Sequence, residues 1–552
     1  IQGRRPNQIA VVLGSGEKRT LRVDDYFAYF LGLKQSFLDA QARFDPQNGP
    51  DPVMADGHGR WNGQAEQILQ ARDYLGAIAG IRLNQITKLE RAGIRTLTDL
   101  AQSPLTTVPK MAPVIFGKLK AQAAIQLKSR GLPIPAFEIT PQTDLNQGLH
   151  RLPDHSPLDV FFDIEGYPLD GGLEYLWGCT YFDEAKQRSF RDFWAHDSAQ
   201  EKQAFVDFIS WIYERWKADP SMHVYHYASY EITALNRLRK HDPVAELKVD
   251  NLLRNNVFVD LYTVVKNSIL LGEDSYSIKK VEHLYRPKRA TQVTGGGDSV
   301  VAYEAWRETP DGETWESSVI LKNIRDYNID DCDSTQELTD WLRVQKQKLG
   351  IQTVAQPMAG EVENPEEATE ITALRDKVLH LSETEVDIER KRMMRTLAWS
   401  LDFHRREQKP SWWRYFERSA KDEGELYDDP DCIAGLVRTD RPAFLPTPRS
   451  KSPVQEYRFD VAQEFKEGPD SFSVLNCQTA DGKQINATLV QIGAEAGLIQ
   501  LKSSQSLPAS LSLIPNETVQ PGQLPEAIKQ VLQTSLDRDF APSAIVDFNL
   551  SR

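Results

Sequence analysis

Hydrophobic positions fall into blocks of differing period along the chain. Short β-type runs at residues 8–13 (QIAVVL) and 18–23 (KRTLRV) flank Gly14-Ser15-Gly16 and predict a hairpin. A helix is expected from about Asp24 to Ala42. This piece, residues 1–45, is too small to close a core and reads as the tail of a domain lying upstream. The opening Ile1-Gln2-Gly3-Arg4-Arg5-Pro6 has no start-like features, as in a fragment of a longer protein. Residues 45–63 carry Pro, Gly, Asp and Asn at linker density. Residues 66–131 read as several short helices, and the Pro-rich stretch Leu132 to Pro141 as a linker. An α/β region is expected over residues 155–350, followed by a linker at 352–368 and a helical segment at 369–420. Residues 430–552 hold short β-type runs such as Ala487-Thr488-Leu489-Val490-Gln491-Ile492 and predict a barrel-like domain. The expected class is therefore α/β and multidomain, with a helical segment before the central domain and a β-rich one after it.

The 552 residues exceed what one core holds. No apolar run approaches the ~20 residues of a membrane span, and neither a secretory leader nor a membrane partner is expected. Cys179, Cys332, Cys432 and Cys477 lie far apart without metal-ligand spacing, which fits a reduced, cytoplasmic compartment. With 65 Lys and Arg against 79 Asp and Glu, the net charge of −14 argues against a general electrostatic grip on nucleic acid. Local basic surfaces remain: Lys110, Lys118, Lys120, Lys128 and Arg130 form one run, and Glu389 to Arg406 is rich in arginine. Each reads equally well as a solvated helix face.

Candidate chemistry begins at Leu158-Asp159-Val160-Phe161-Phe162-Asp163-Ile164-Glu165-Gly166. An apolar strand ends in two acids at i and i+2, hence on one face. Two such carboxylates repel unless a cation lies between them, and hard divalent cations favour oxygen ligands. A second strand follows from Leu173 to Phe182. Further on, His223-Val224-Tyr225-His226-Tyr227-Ala228-Ser229-Tyr230-Glu231 reads as a short strand, a polar turn and the start of a helix. Glu231 is there either a ligand or a helix N-terminal charge. In Ile324-Arg325-Asp326-Tyr327-Asn328-Ile329-Asp330-Asp331-Cys332, a helix predicted from Ser318 to Leu342 puts Tyr327 and Asp331 on one face at i and i+4. Asp326, Asp330, Asp331 and Asp333 crowd together and call for compensating charge. Asp330 competes with Asp331, but only Asp331 keeps the i+4 spacing. Asp260 reads as the end of a core strand.

The order strand D-x-E, strand–helix acid, then Y-x-x-x-D resembles the DEDD exonuclease superfamily in its tyrosine variant. That family has an RNase H-like fold, a mixed sheet flanked by helices. Gly172-Leu173-Glu174-Tyr175-Leu176-Trp177-Gly178, Phe193-Trp194-Ala195-His196-Asp197, Ser275-Tyr276-Ser277-Ile278-Lys279 and His404-Arg405-Arg406-Glu407-Gln408-Lys409-Pro410-Ser411-Trp412-Trp413 are similar to a bacterial family of RecB-like nucleases. Members place a RecB-like domain first and an RNase H-like exonuclease domain second, and some continue into a superfamily 1 helicase. The phrases Ile78-Ala79-Gly80-Ile81 and Ala92-Gly93-Ile94-Arg95-Thr96-Leu97-Thr98-Asp99-Leu100 resemble helix–hairpin–helix repeats, with Arg82 where the second glycine usually stands. Such hairpins either approach a phosphate or serve packing.

The resemblance implies a 3′–5′ exonuclease acting on DNA or RNA in nucleic-acid processing or repair. Asp163 would bridge two Mg²⁺ or Mn²⁺ ions, Glu165 and Asp331 would complete the first ion's shell, Glu231 would hold the second, and Tyr327 would orient the attacking water. The implied partners are a single-stranded 3′ end and a superfamily 1 helicase in the same or another chain. Three departures stand out. Asp56-Gly57-His58-Gly59-Arg60-Trp61 lacks the cysteines of some relatives, so no iron–sulfur cluster is expected. Gly14-Ser15-Gly16-Glu17-Lys18 has the wrong spacing for a phosphate-binding loop. The superfamily's second motif usually supplies Asp, and here stands Glu231. Trp412 and Trp413, beside Arg405, Arg406 and Arg414, either stack on bases or belong to a core. The rival reading is a non-catalytic nucleic-acid-binding module that positions a partner helicase or nuclease.

Overall fold

The computed structural model describes residues 5–13, 16–45, 51–54, 57–109, 111, 113–142, 147–169, 172–286, 296–354, 365–401, 403–421, 423–427, 429–447, 450–461, 463, 465–466, 470–478, 484–517 and 521–541. They divide into two units, Ile1–Thr353 and Val354–Arg552.

The first unit opens with Gln8–Val12 (β1) and Lys18–Arg22 (β2), an antiparallel pair, and Val23–Ala42 (α1). Of α1 only Val23 is buried, while Tyr29 and Phe37 stay 70% and 62% exposed. This piece closes no core among the described residues. Asn62–Ala71 (α2), Leu83–Arg91 (α3), Leu97–Gln102 (α4) and Pro113–Ser129 (α5) follow, around Leu75, Ile78, Leu89, Leu100 and Phe116. Gly80 and Gly93 bracket α3 at φ +75° and +86°, left-handed backbone that a Cβ would strain. Thr96 and Asp99 form a capping box that starts α4.

The Pro-rich stretch after α5 does more than link. Its end, Phe137–Ile139 (β3), is a strand, because Phe137 finds the edge of Trp341 at 5.2 Å and an antiparallel partner in Ile269–Leu271. The central region then runs through Val160–Tyr167 (β4), Leu173–Phe182 (β5), Arg188–Trp194 (β6), Ser198–Ala218 (α6), Val224–His226 (β7), Tyr230–Leu238 (α7), Pro243–Arg254 (α8), Phe258–Asp260 (β8), Leu261–Ser268 (α9), Ile269–Leu271 (β9), Ile278–Val281 (α10), Gly296–Glu308 (α11) and Val319–Lys348 (α12). The sheet has the order β6-β5-β4-β7-β8. The pairs β4–β5 and β5–β6 are antiparallel, and β4–β7 and β7–β8 are parallel, so the sheet is mixed.

Strand alternation on β4 sorts its side chains. Val160, Phe162 and Ile164 join a core with Phe205, Phe208, Leu235 and Val249 from α6, α7 and α8. Phe161 joins a second core on the opposite face, with Tyr225, Val265, Leu338 and Leu342. Asp163 and Glu165 share that second face, which α12 covers. A buried glutamine ties the helical segment to this domain: Gln122 Nε2 donates to the Leu271 carbonyl at 2.8 Å, and its Oε1 accepts from the Tyr276 hydroxyl at 2.9 Å.

The second unit contains Pro365–Thr384 (α13), Ile388–Ser400 (α14), Phe403–Ala420 (α15) and Glu423–Tyr427 (α16). Ile433–Arg438 (β10), Val454–Arg458 (β11), Ser471–Gln478 (β12), Gln484–Gly493 (β13), Leu498–Lys502 (β14) and Ser510–Pro515 (β15) close into a barrel in the order β10-β11-β14-β13-β12-β15. Tyr457, Phe472, Ile499, Leu501 and Leu513 fill it. Leu524–Asp537 (α17) packs on α13 and α14. No helix among the described residues is long and apolar enough to cross a membrane.

Candidate active site

The acids of β4 meet α12 at its buried stripe. Asp163, Glu165 and Asp331 each offer a carboxylate oxygen, and these oxygens lie within 4.8 Å of one another. Strand period two placed the first pair on one face, and helical packing across that face delivered the third. A bulge follows at Glu165/Gly166, where β4 and β5 lose register. Bulges of this kind re-aim side chains beside functional sites.

Three acids this close strain each other electrostatically. Burial, then the charge of Asp331, pushes the Glu165 carboxyl up to about 8. Hydrogen bonds from Ser299 and Asn328 and the charge of Lys279 offset only part of this. Ser299 Oγ donates to Glu165 Oε2 at 2.6 Å, and Asn328 Nδ2 donates to Asp163 Oδ2 at 2.7 Å. The Lys279 ammonium stands 5.3 Å from the centre of the Tyr327 ring. Tyr327 is buried and its phenol is held above its ordinary value. Burial is the largest cause, followed by the charges of Asp331, Glu165 and Asp163 and a hydrogen bond with Asp331. The charges of all three acids therefore reach the Tyr327 phenol. Compact, hard oxygen donors that resist joint ionisation fit a divalent cation.

The three acids that crowd around Asp331 on α12 face other surroundings. Asp330 takes Arg286 at 3.0 Å, Asp333 takes Arg188 at 3.0 Å, and Asp326 is exposed. Arg286 thus removes Asp330 from competition with Asp331.

Glu231 is not brought into the group. It is buried at the start of α7, with Oε2 3.5 Å from His226 Nδ1. Burial raises the Glu231 carboxyl against the pull of His226. Burial lowers the His226 imidazolium, but the adjacent Glu231, the charge of Asp260 and a bond to the Ala228 carbonyl at 2.8 Å outweigh it, so its value also rises. The pair shares charge between its members. Asp260 ends β8 and caps α9, accepting from the Tyr262 amide at 2.9 Å and from the Ala228 amide at 2.8 Å.

Sequence reasoning had not singled out Asn328, Ser299, Lys279 or His226 for roles at this site. Asn328 carried a signal. It sits with Ile324, Asp331, Cys332 and Thr335 on one buried stripe of α12, where an amide needs a partner. Ser299 had none, since only long-range packing brings α11 to β4.

Much of the basic run is spoken for. Lys120 donates to the Leu105 carbonyl at 3.3 Å, Lys128 pairs with Glu138 at 3.2 Å and Arg130 pairs with Asp73. Lys110 lies outside the described residues, as do the side chains of Arg405, Arg406, Trp412 and Trp413. Arg414 bonds Glu517.

Residues 160–343 match the family model of the RNase_H superfamily, whose members point to nucleic-acid hydrolysis. Neither a curated protein nor a solved structure matches the chain.

Proposed function

We propose, for a chain whose residues 160–343 match the RNase_H superfamily, a metal-dependent 3′–5′ exonuclease that cleaves terminal phosphodiesters of DNA or RNA, in cytoplasmic nucleic-acid processing or repair. The convergence of Asp163, Glu165 and Asp331 within 4.8 Å carries the reading. Asp163 would serve both cation positions, with Glu165 and Asp331 completing one. Glu231 would serve the other on leaving His226. Two Mg²⁺ or Mn²⁺ ions, when bound, supply Lewis acidity and charge neutralisation at the scissile phosphate. The Tyr327 hydroxyl, held beside the acids, orients the attacking water for in-line displacement. The burial of Glu165 and Tyr327 limits bulk water around the reacting group. A single-stranded 3′ end is the proposed substrate and a superfamily 1 helicase the proposed partner, both on resemblance in the sequence.

The test is degradation of 3′- and 5′-labelled DNA and RNA strands by wild type and Asp163→Asn in Mn²⁺. We expect mononucleotide release from 3′ ends, lost by on the order of 10³-fold or more in the variant, as when one member of a catalytic unit is removed. Wild-type turnover in a folded Asp163→Asn protein would reject the site. The second reading, a non-catalytic binding module, draws on Glu231 standing with His226 and on the net charge of −14. It expects strand binding without cleavage.

A further inference from the structure

Asp163 and Gly178 are cross-strand partners in the β4–β5 register. A side chain at Gly178 would stand between α12 and the sheet. A Cβ built there would overlap the Asn328 Oδ1 and approach the Phe190 ring to 2.8 Å. The missing side chain is a port through which Asn328 reaches Asp163, its Nδ2 donating to Oδ2 at 2.7 Å. Asn328 is fully buried, and its Oδ1 has no hydrogen-bond partner. A buried amide oxygen left so forfeits the hydrogen bond it had with water. One turn along α12, Cys332 Sγ donates to the Gly178 carbonyl at 3.3 Å. Two successive turns of α12 therefore dock on one glycine, and Asp331 lies on the helix between them.

We infer that Gly178 and Asn328 form a lock that positions the metal-binding acids. The Asn328 amide orients the Asp163 carboxylate, and docking on Gly178 sets how far Asp331 stands from β4. Asn328 is a positioning residue: it acts through Asp163 and touches no reacting atom. The unpartnered Oδ1 is tolerated because the amide must present its nitrogen to Asp163. This inference rests on the proposed metal site.

The test is calorimetric titration of the full chain with Mn²⁺ alone, for wild type, Asn328→Ala, Gly178→Ala and Asp163→Asn, with circular dichroism to establish folding. Positioning partners of metal ligands are worth about 10- to 100-fold in affinity. We expect that weakening in Asn328→Ala, a similar weakening in Gly178→Ala, and no binding at this site in Asp163→Asn. If Asn328→Ala lowers the melting temperature but its isotherm superimposes on wild type, the residue is structural only and the inference fails while the metal site stands. If wild type takes up no Mn²⁺, the metal site falls and the inference with it. Should both lock variants fail to fold, a crystal structure of wild type in Mn²⁺ decides. An Asn328 amide still within hydrogen-bond distance of Asp163 supports the lock, and one turned away overturns it.

Discussion

The acids set along β4 and the acid that follows the adjacent parallel strand β7 differ in what neutralises them. On β4 and α12, Asp163, Glu165 and Asp331 converge, and Glu165 rises to about 8 because burial and a neighbouring carboxylate both oppose its charge. At β7 and α7, Glu231 has an imidazole at 3.5 Å, and each member raises or lowers the other toward shared charge. A third group, Glu174 and Glu201, takes Arg237 at 3.0 and 2.6 Å. Acids that bring their own cation are complete as folded. Acids that crowd one another, with Lys279 offsetting only part, invite a cation from solution. A buried carboxylate is therefore no sign of a metal site until its partners are known.

The largest expected effect that would sharpen this contrast is on stability against pH. The folded-state value of Glu165, about 8, lies above its ordinary 4.5. Its contribution is then fully present below the ordinary value and is lost as pH rises through about 8. The chelator-treated protein should lose on the order of a few kcal/mol over that window. Saturating Mn²⁺, which favours the ionised carboxylate, should flatten the loss. Melting temperatures from about pH 5 to about pH 9, with chelator and with Mn²⁺, check this. Parallel curves would mean that the acids of β4 and α12 are as self-sufficient as Glu231 and His226.

A smaller effect is expected at Tyr327. The phenol binds no metal in the proposed scheme, so Tyr327→Phe should slow hydrolysis on the order of 100-fold and leave the Mn²⁺ isotherm nearly unchanged. Single-turnover rates beside calorimetry separate the two, and a large loss of metal affinity would move Tyr327 into the ligand set.

The smallest effect is expected at Glu231, where the contrast itself is at stake. If its place with His226 is final, Glu231→Ala and Glu231→Asp should leave the Mn²⁺ dependence of activity superimposable on wild type. If Glu231 leaves His226 to serve a second cation, Ala should demand more Mn²⁺ while Asp retains substantial activity. Activity against Mn²⁺ concentration for the three proteins decides between a charge pair and a ligand.

Much of the candidate site was legible because short-range geometry carries it. The i, i+2 rule put Asp163 and Glu165 on one face, and the i, i+4 rule put Tyr327 beside Asp331. The long helix is present as Val319–Lys348, capped by Ser318, which accepts from the Leu321 amide. Less legible was the stretch at Leu132 to Pro141. Its prolines speak for a linker, yet Phe137–Ile139 pairs with β9, a partner far along the chain.

By itself, the sequence determined which acids could converge, since strand and helix periods are local properties of the backbone. It did not determine which acids would be left for a cation. Asp330 and Asp331 are adjacent in the chain and chemically alike, but packing turns Asp331 to the acids of β4 while Arg286 pairs with Asp330. Glu231 read by itself as a helix charge and by resemblance as a ligand, until folding set His226 beside it. Asn328 reached Asp163 only through the gap at Gly178, across a strand pairing that no local pattern specifies. Charge state inside a protein depends on neighbours brought by tertiary contacts, and those neighbours are set by how the sheet and α12 pack.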